Sequence, residues 1–177
     1  MSQFHERYPI GQFEKPSVIS AEQLNAWIQT IAAFPAKLKA EVITLNDEQL
    51  NTPYRQDGWT IRQVVHHTAD SHINAFTRFK LTLTEDLPVI KPYDEPLWAE
   101  LADSKNYPIQ SSLLILAGLH DRWTALLHTL GPNELKRCYV HPAHGKHVSL
   151  EEAIGMYAWH SQHHLAHITT LKARMNW

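Results

Sequence analysis

Three times in this chain a serine or threonine stands three residues before a glutamine or glutamate at the threshold of a long apolar run: Ser20 and Gln23, Thr60 and Gln63, Ser149 and Glu152. This is the capping-box spacing, in which the hydroxyl accepts from a backbone N–H one turn on while the longer side chain reaches back, so each pair marks a helix start. The run after each pair has helical period. After Ser20, the residues Leu24, Trp27, Ile28, Ile31, Leu38, Val42 and Leu45 recur on one face, with Pro35 placed to kink the run. After Thr60, the residues Ile61, Val64, Val65, Ala75, Phe76 and Phe79 do the same, with no proline or glycine before about Glu85. The run after Ser149 extends to about Arg174, and a fourth, from about Ile109 to Leu130, ends at Gly131-Pro132.

Four long amphipathic helices without an internal repeat predict an all-α chain folded as a four-helix bundle, a single domain over residues 1–177. Pro9, Gly11 and Pro16 give residues 1–19 the character of an N-terminal arm lying over that domain. The segment 46–57 is polar. Pro88, Pro92 and Pro96 mark a long ordered loop with a short helix near Leu97 to Leu101, and Tyr139, Val140 and Val148 flank a turn that suits a small hairpin before the last helix. The 16 basic and 18 acidic residues nearly cancel, so no nucleic acid or anionic membrane is expected as a partner. No apolar run reaches the roughly 18 residues of a membrane span. The lone Cys138 and the polar start Met1 to Arg7, without the apolar core of a secretory signal, fit a cytoplasmic protein.

Histidine is the unusual entry in the composition, with 13 residues, seven of them in the segments 66–72 and 160–167. On the last helix the apolar stripe through Ala153, Met156, Tyr157, Ile168 and Leu171 centres between His160 and His164, and His163 and His167 fall toward one edge. Two imidazoles four residues apart share a face and can hold one transition-metal ion. The plain alternative is a pair of hydrogen-bonded core histidines. A third ligand is expected from the second long helix, where the helical wheel places His72 nearest the centre of the apolar stripe, His67 on one flank and His66 on the other. Periodicity favours His72 and leaves His67 second.

The stretch Gly58-Trp59-Thr60-Ile61-Arg62-Gln63 through His66-His67-Thr68-Ala69-Asp70-Ser71-His72 resembles the G-W-[ST]-x-[KR]-x-x-x-x-H-x-x-D signature of the DinB/YfiT-like superfamily. His160 and His164 match the H-x-x-x-H of its last helix. Similarity extends to Tyr8-Pro9-Ile10-Gly11, Thr52-Pro53-Tyr54-Arg55, Lys91-Pro92-Tyr93-Asp94-Glu95 and Arg122-Trp123-Thr124, and so covers nearly the whole chain, closest to the YfiT branch. The resemblance implies a four-helix bundle with one divalent metal, zinc favoured and nickel possible, held by His67, His160 and His164. It also implies a homodimer. Where the superfamily often has glutamine after the last ligand, this chain has His167.

Three protein ligands leave a position open, as catalytic sites require. Members of the YfiT type are described as metal-dependent hydrolases, and related branches transfer low-molecular-weight thiols such as bacillithiol, so the small-molecule substrate is either cleaved by water or joined to a thiol. A metal-binding stress protein without turnover is the reading from another class. Ser161 stands where a zincin has its catalytic glutamate, which excludes the protease reading. Asp70 is the candidate carboxylate behind the ligands. His141, His144 and His147 suit an exposed turn better than a second metal site; His120, Arg122 and Trp123 are candidates for a pocket wall, and Arg62 and Arg78 for salt bridges or an anionic substrate.

Overall fold

The computed structural model describes residues 6–143 and 145–177. Helix α1 (Ala21–Val42) is capped by Ser20, whose hydroxyl accepts from the Gln23 N–H at 3.1 Å, and it continues through Pro35. After α2 (Asp47–Leu50) comes α3 (Ile61–Thr84), where Thr60 and Gln63 form the reciprocal box in full, at 2.9 and 3.2 Å. The short helices α4 (Glu95–Ala99) and α5 (Ala102–Asn106) precede α6 (Gln110–Leu127), and α7 (Pro132–Leu135) leads into an antiparallel hairpin of β1 (Cys138–His141) and β2 (Lys146–Ser149). Helix α8 (Leu150–Met175) starts at Ser149, but its box is only half formed, because the Glu152 carboxylate pairs with Lys15 of the arm at 2.6 Å. The expected polar stretch 46–57 holds a true capping box of its own, Asn46 with Gln49, opening a helix too short for periodicity to reveal.

The four long helices close into a ring in which α1 packs on α6 and α8, and α3 packs on the same two. Consecutive α1 and α3 therefore lie across the bundle from each other, a crossing that the 43–60 connection with its embedded α2 spans. Where α1 meets α8, Gly155 admits the Trp27 ring; a Cβ there would stand 2.8 Å from it. No helix among the described residues is long and apolar enough to cross a membrane.

The core falls into two apolar clusters. One gathers Ile31, Phe79, Trp123, Leu127, Ile154 and Tyr157, and the other Phe34, Leu38, Ile61, Val65, Leu116 and Ile168. On α3 the break between them falls at residues 70–74, just beyond His66 and His67, and on α8 at residues 159–164, so the histidines of both helices gather at and beside a polar layer between the clusters.

Candidate metal centre

His67 enters this layer from the second turn of α3. The turn before it is held by Asp57 in the left-handed region (φ 54) and by the Tyr54 N–H donating to the Trp59 carbonyl at 3.0 Å, which swings the Trp59 ring to 4.6 Å from that of His67. From α8, His160 and His164 face it. One nitrogen from each of the three imidazoles lies within 4.8 Å of the others, and this is the one such group of three among the described residues. The Nε2 atoms of His67 and His160 stand 3.4 Å apart. Ligands held about 2.0–2.1 Å from a tetrahedral ion would be separated by about 3.4 Å, so the spacing suits a shared cation. The Nδ1 of His164, buried without a hydrogen-bond partner, is a further polar atom that a bound ion or its water could relieve.

Burial, reinforced by repulsion among would-be cations, holds His67 down to about 4 and drives His160 and His164 well below the ordinary imidazole range. At neutral pH all three are uncharged. Their lone pairs are free for a metal.

His72, which periodicity favoured as a ligand, is fully buried and does not reach the cavity. Its Nδ1 lies 2.7 Å from His120 Nε2 and its Nε2 lies 3.1 Å from His160 Nδ1. His120 Nδ1 in turn lies 2.7 Å from the Ile31 carbonyl. A carbonyl only accepts, so His120 donates from Nδ1 and must accept at Nε2 from His72 Nδ1–H. His72 then accepts at Nε2 from His160 Nδ1–H, which leaves the lone pair of His160 on Nε2, facing His67. One backbone carbonyl of α1 thus sets the tautomers of three neutral histidines and leaves the third with its lone pair toward the cluster.

The cluster sits in the wall of a cavity of about 710 Å³. The arm crosses its mouth: the Arg7 carbonyl accepts from His167 Nε2 at 3.0 Å, and the Gly11 carbonyl from the Trp159 indole at 3.1 Å. His167 also stacks on Tyr54, with ring centroids 3.9 Å apart, and His163 stacks on Trp159 at 4.5 Å. These two histidines fasten the arm and the rim.

Several expected placements are revised. Asp70 makes no hydrogen bond to any described histidine; it lies near Asp103, and burial with that charge raises its carboxyl to about 6. His120 bonds within the core instead of lining the cavity, Trp123 is wholly buried, and Arg122 lies over the Phe76 ring at 5.5 Å. Arg62 is a buried staple, donating to Asp47, Asn51 and the Tyr107 carbonyl. Ser161 turns into the helix and donates to the Tyr157 carbonyl at 2.8 Å. His147 is exposed, His141 lies on the cavity wall, and His144 is outside the described residues. Sequence reasoning missed the His72–His120 link; its only signal was a histidine set into the apolar stripe of α6.

A four-helix bundle with three neutral histidines converging on a cavity defines a metal-site class of helical protein. The family model of the DinB superfamily matches residues 30–168, and the chain belongs to that superfamily. It is 52% identical over 177 residues, covering 100% of this chain and 99% of the relative, to a Bacillus subtilis protein named "Putative metal-dependent hydrolase YfiT". A similarly named protein of Oceanobacillus iheyensis is 52% identical over 173 residues, 98% of this chain and 99% of the relative. The solved structure of Bacillus subtilis YfiT, described as a probable metal-dependent hydrolase with an unusual four-helix bundle topology, superposes with a TM-score of 0.95 at 53% identity over 98% of this chain and 99% of that one. The diagonal placement of α1 and α3 is the topology seen here.

Proposed function

We propose that the chain is a metal-dependent hydrolase of small molecules, with His67, His160 and His164 as the ligands of one divalent transition metal. The observation that carries this reading is the convergence of three neutral imidazoles, within 4.8 Å, on the wall of a 710 Å³ cavity. No fourth protein ligand adjoins them among the described residues. When bound, such an ion supplies Lewis acidity, which makes water, or a thiol, nucleophilic near neutral pH.

The chain's own residues supply the rest. His72 and His120 hold the His160 ring in the ligating tautomer, and Trp59 covers His67 and His164 from the side of the turn. The arm narrows the mouth and so restricts water around the reacting group. A second reading, transfer of a low-molecular-weight thiol to an electrophile, is favoured by one observation: the acids on the cavity wall, Asp57 and Glu95, are both exposed, and no described carboxylate hydrogen-bonds to the cluster as a general base. A thiol acidified by a metal needs no such base.

Zinc is the ion we favour, with nickel next, since three imidazoles suit both. The test is metal analysis of untagged protein followed by assays of the loaded form. Hydrolysis of ester and amide panels without thiol supports the hydrolase. Metal-dependent conjugation of bacillithiol to monochlorobimane, without hydrolysis, replaces it with the transferase. A His67→Ala, His160→Ala or His164→Ala variant that keeps full metal content overturns the ligand set.

A further inference from the structure

The cavity extends past the histidines along the seam between α3 and α8. On α3, Ser71 and Arg78 follow His67 by 4 and 11 residues, which at about 100° per residue returns each to within about 40° of the same face. On α8, Tyr157 precedes His160 by 3 residues and continues the stripe of His164 and His160 in the opposite direction along the seam. All of these line the cavity. The two stripes meet a second time beyond the metal cluster, where Arg78 Nη1 donates to the Tyr157 hydroxyl at 3.2 Å.

Arg78 is half-buried, and among the described residues no carboxylate lies within ion-pair distance of it. Its side chain leans toward the N-terminal end of its helix, as helical side chains do, and therefore back toward His67. With Nη1 engaged by the phenol, Nε and Nη2 remain as the side-on fork that takes a carboxylate in two parallel hydrogen bonds. The Tyr157 oxygen accepts from Arg78, and its own proton can turn to the neighbouring Ser71 or to a ligand. The Tyr93 hydroxyl also lines this space, buried beside Ser71 with no hydrogen bond of good geometry to commit its proton. Glu95 faces the same space from an exposed position, which disfavours an anion left loose at the mouth and leaves the inner fork as the place for one.

We propose that Arg78, Tyr157 and Tyr93 form an anion subsite, and that the substrate is a small molecule carrying a carboxylate at one end and its reacting group at the other. The inference rests on the metal-site reading for the position of the reacting group. The Tyr157 ring stands 5.9 Å from that of His160 and 3.2 Å through its hydroxyl from Arg78. The substrate's two ends are accordingly spaced by a chain of several atoms.

The test uses the full chain loaded with cobalt(II), whose thiolate charge-transfer absorption reports a thiol reaching the metal. The probes are 3-mercaptopropionate and 6-mercaptohexanoate, each against the neutral mercaptoalcohol of equal length. The longer carboxylate should bind about tenfold tighter than its alcohol or better, as a charge-assisted bidentate pair provides, and the short pair should differ less. Arg78→Met, which keeps the apolar stem, should abolish that preference while the alcohol's affinity and the cobalt content stay as they were. Tyr157→Phe should reduce it by a smaller factor. Equal affinity of acid and alcohol in the unaltered protein, or a preference that survives Arg78→Met, overturns the subsite; tighter binding of the matching phosphonate than of the carboxylate overturns the choice of anion. In metal-free protein, hexanoate but not hexanol should shift the Arg78 Nε–H resonance. A shift there without cobalt binding would retain the subsite and discard the metal reading, and cobalt binding without a shift would do the reverse.

Discussion

Two sets of histidines gather about the same polar layer of the bundle, His72 and His120 fully buried and His67, His160 and His164 beside the cavity, and they have opposite situations. In the interior set, His72 and His120, every ring nitrogen is engaged, and the line of hydrogen bonds ends on the Ile31 carbonyl. In the cavity set, His67, His160 and His164, the nitrogens that face inward meet only one another. Depressed pKa values do not distinguish them, since His120 is held to about 4 just as His67 is. The difference is whether the protein itself completes the hydrogen bonding. A buried imidazole that is satisfied by its neighbours is architecture, and one left with a lone pair facing a cavity is available for chemistry.

The largest effect should come from the cavity set. His160→Ala should lower metal affinity by more than about 100-fold, with His67→Ala and His164→Ala close behind, measured by competition with a chromogenic chelator. If removing His120 instead did the same damage, the distinction between the two sets would collapse.

The next effect sharpens it. His120→Ala takes away the acceptor that orients His72, and through it His160, so metal affinity should fall about 10- to 100-fold. The same change opens a hole beside Phe34 and leaves His72 Nδ1 unpaired, at a cost of about 2–4 kcal/mol in urea unfolding. Unchanged metal affinity in a variant destabilised to this extent would show that the interior set acts in packing alone.

Both sets should make the metal-free protein acid-labile. The unfolded chain protonates its histidines near the ordinary 6.5, whereas folded His120 stays neutral down to about 4 because it is buried. Between those values the unfolded state binds more protons, so stability present above pH 6.5 is lost as the pH falls toward 4. The loss from His120 alone is roughly 3 kcal/mol when complete, and about 1 kcal/mol by pH 5.5. Urea midpoints at pH 7.5 and 5.5 check it.

Asp70 provides the smallest effect and the opposite sign. Its folded carboxyl, raised to about 6 by burial and by Asp103, contributes stability that is complete below the ordinary value of 3.8 and lost as the pH rises through 6. Asp70→Asn should therefore stabilise the protein at pH 7.5 by about 1 kcal/mol or less, once solvent screening is allowed for, and leave metal affinity unchanged. A weaker metal site in this variant would return Asp70 to the ligands' surroundings.

Much of this was legible in the residues. The starts of α1, α3 and α8 follow from Ser20, Thr60 and Ser149, because a cap and its partner lie one turn apart in sequence. The facing of His160 and His164 follows equally from their spacing of four. The third histidine of the cluster was not legible in this way. The wheel placed His72 deeper in the apolar stripe than His67, and it was right about depth, but depth carried His72 past the cavity and into the core. Only the family resemblance pointed to His67, and the geometry shows why the flank suits it: a residue at the edge of the stripe reaches a cavity that a central one cannot.

By itself the sequence determined the helices, their caps and the faces they turn inward, since those depend on hydrogen bonds and side-chain contacts within four residues along the chain. The tertiary structure decided how the buried histidines divide. His120 meets His72 across a separation of 48 residues, His72 meets His160 across 88, and the carbonyl that sets their tautomers lies 89 residues from His120, on a helix diagonal to α3. No local pattern encodes such partners. They exist only once four helices have packed in this order and buried His72 and His120 between them.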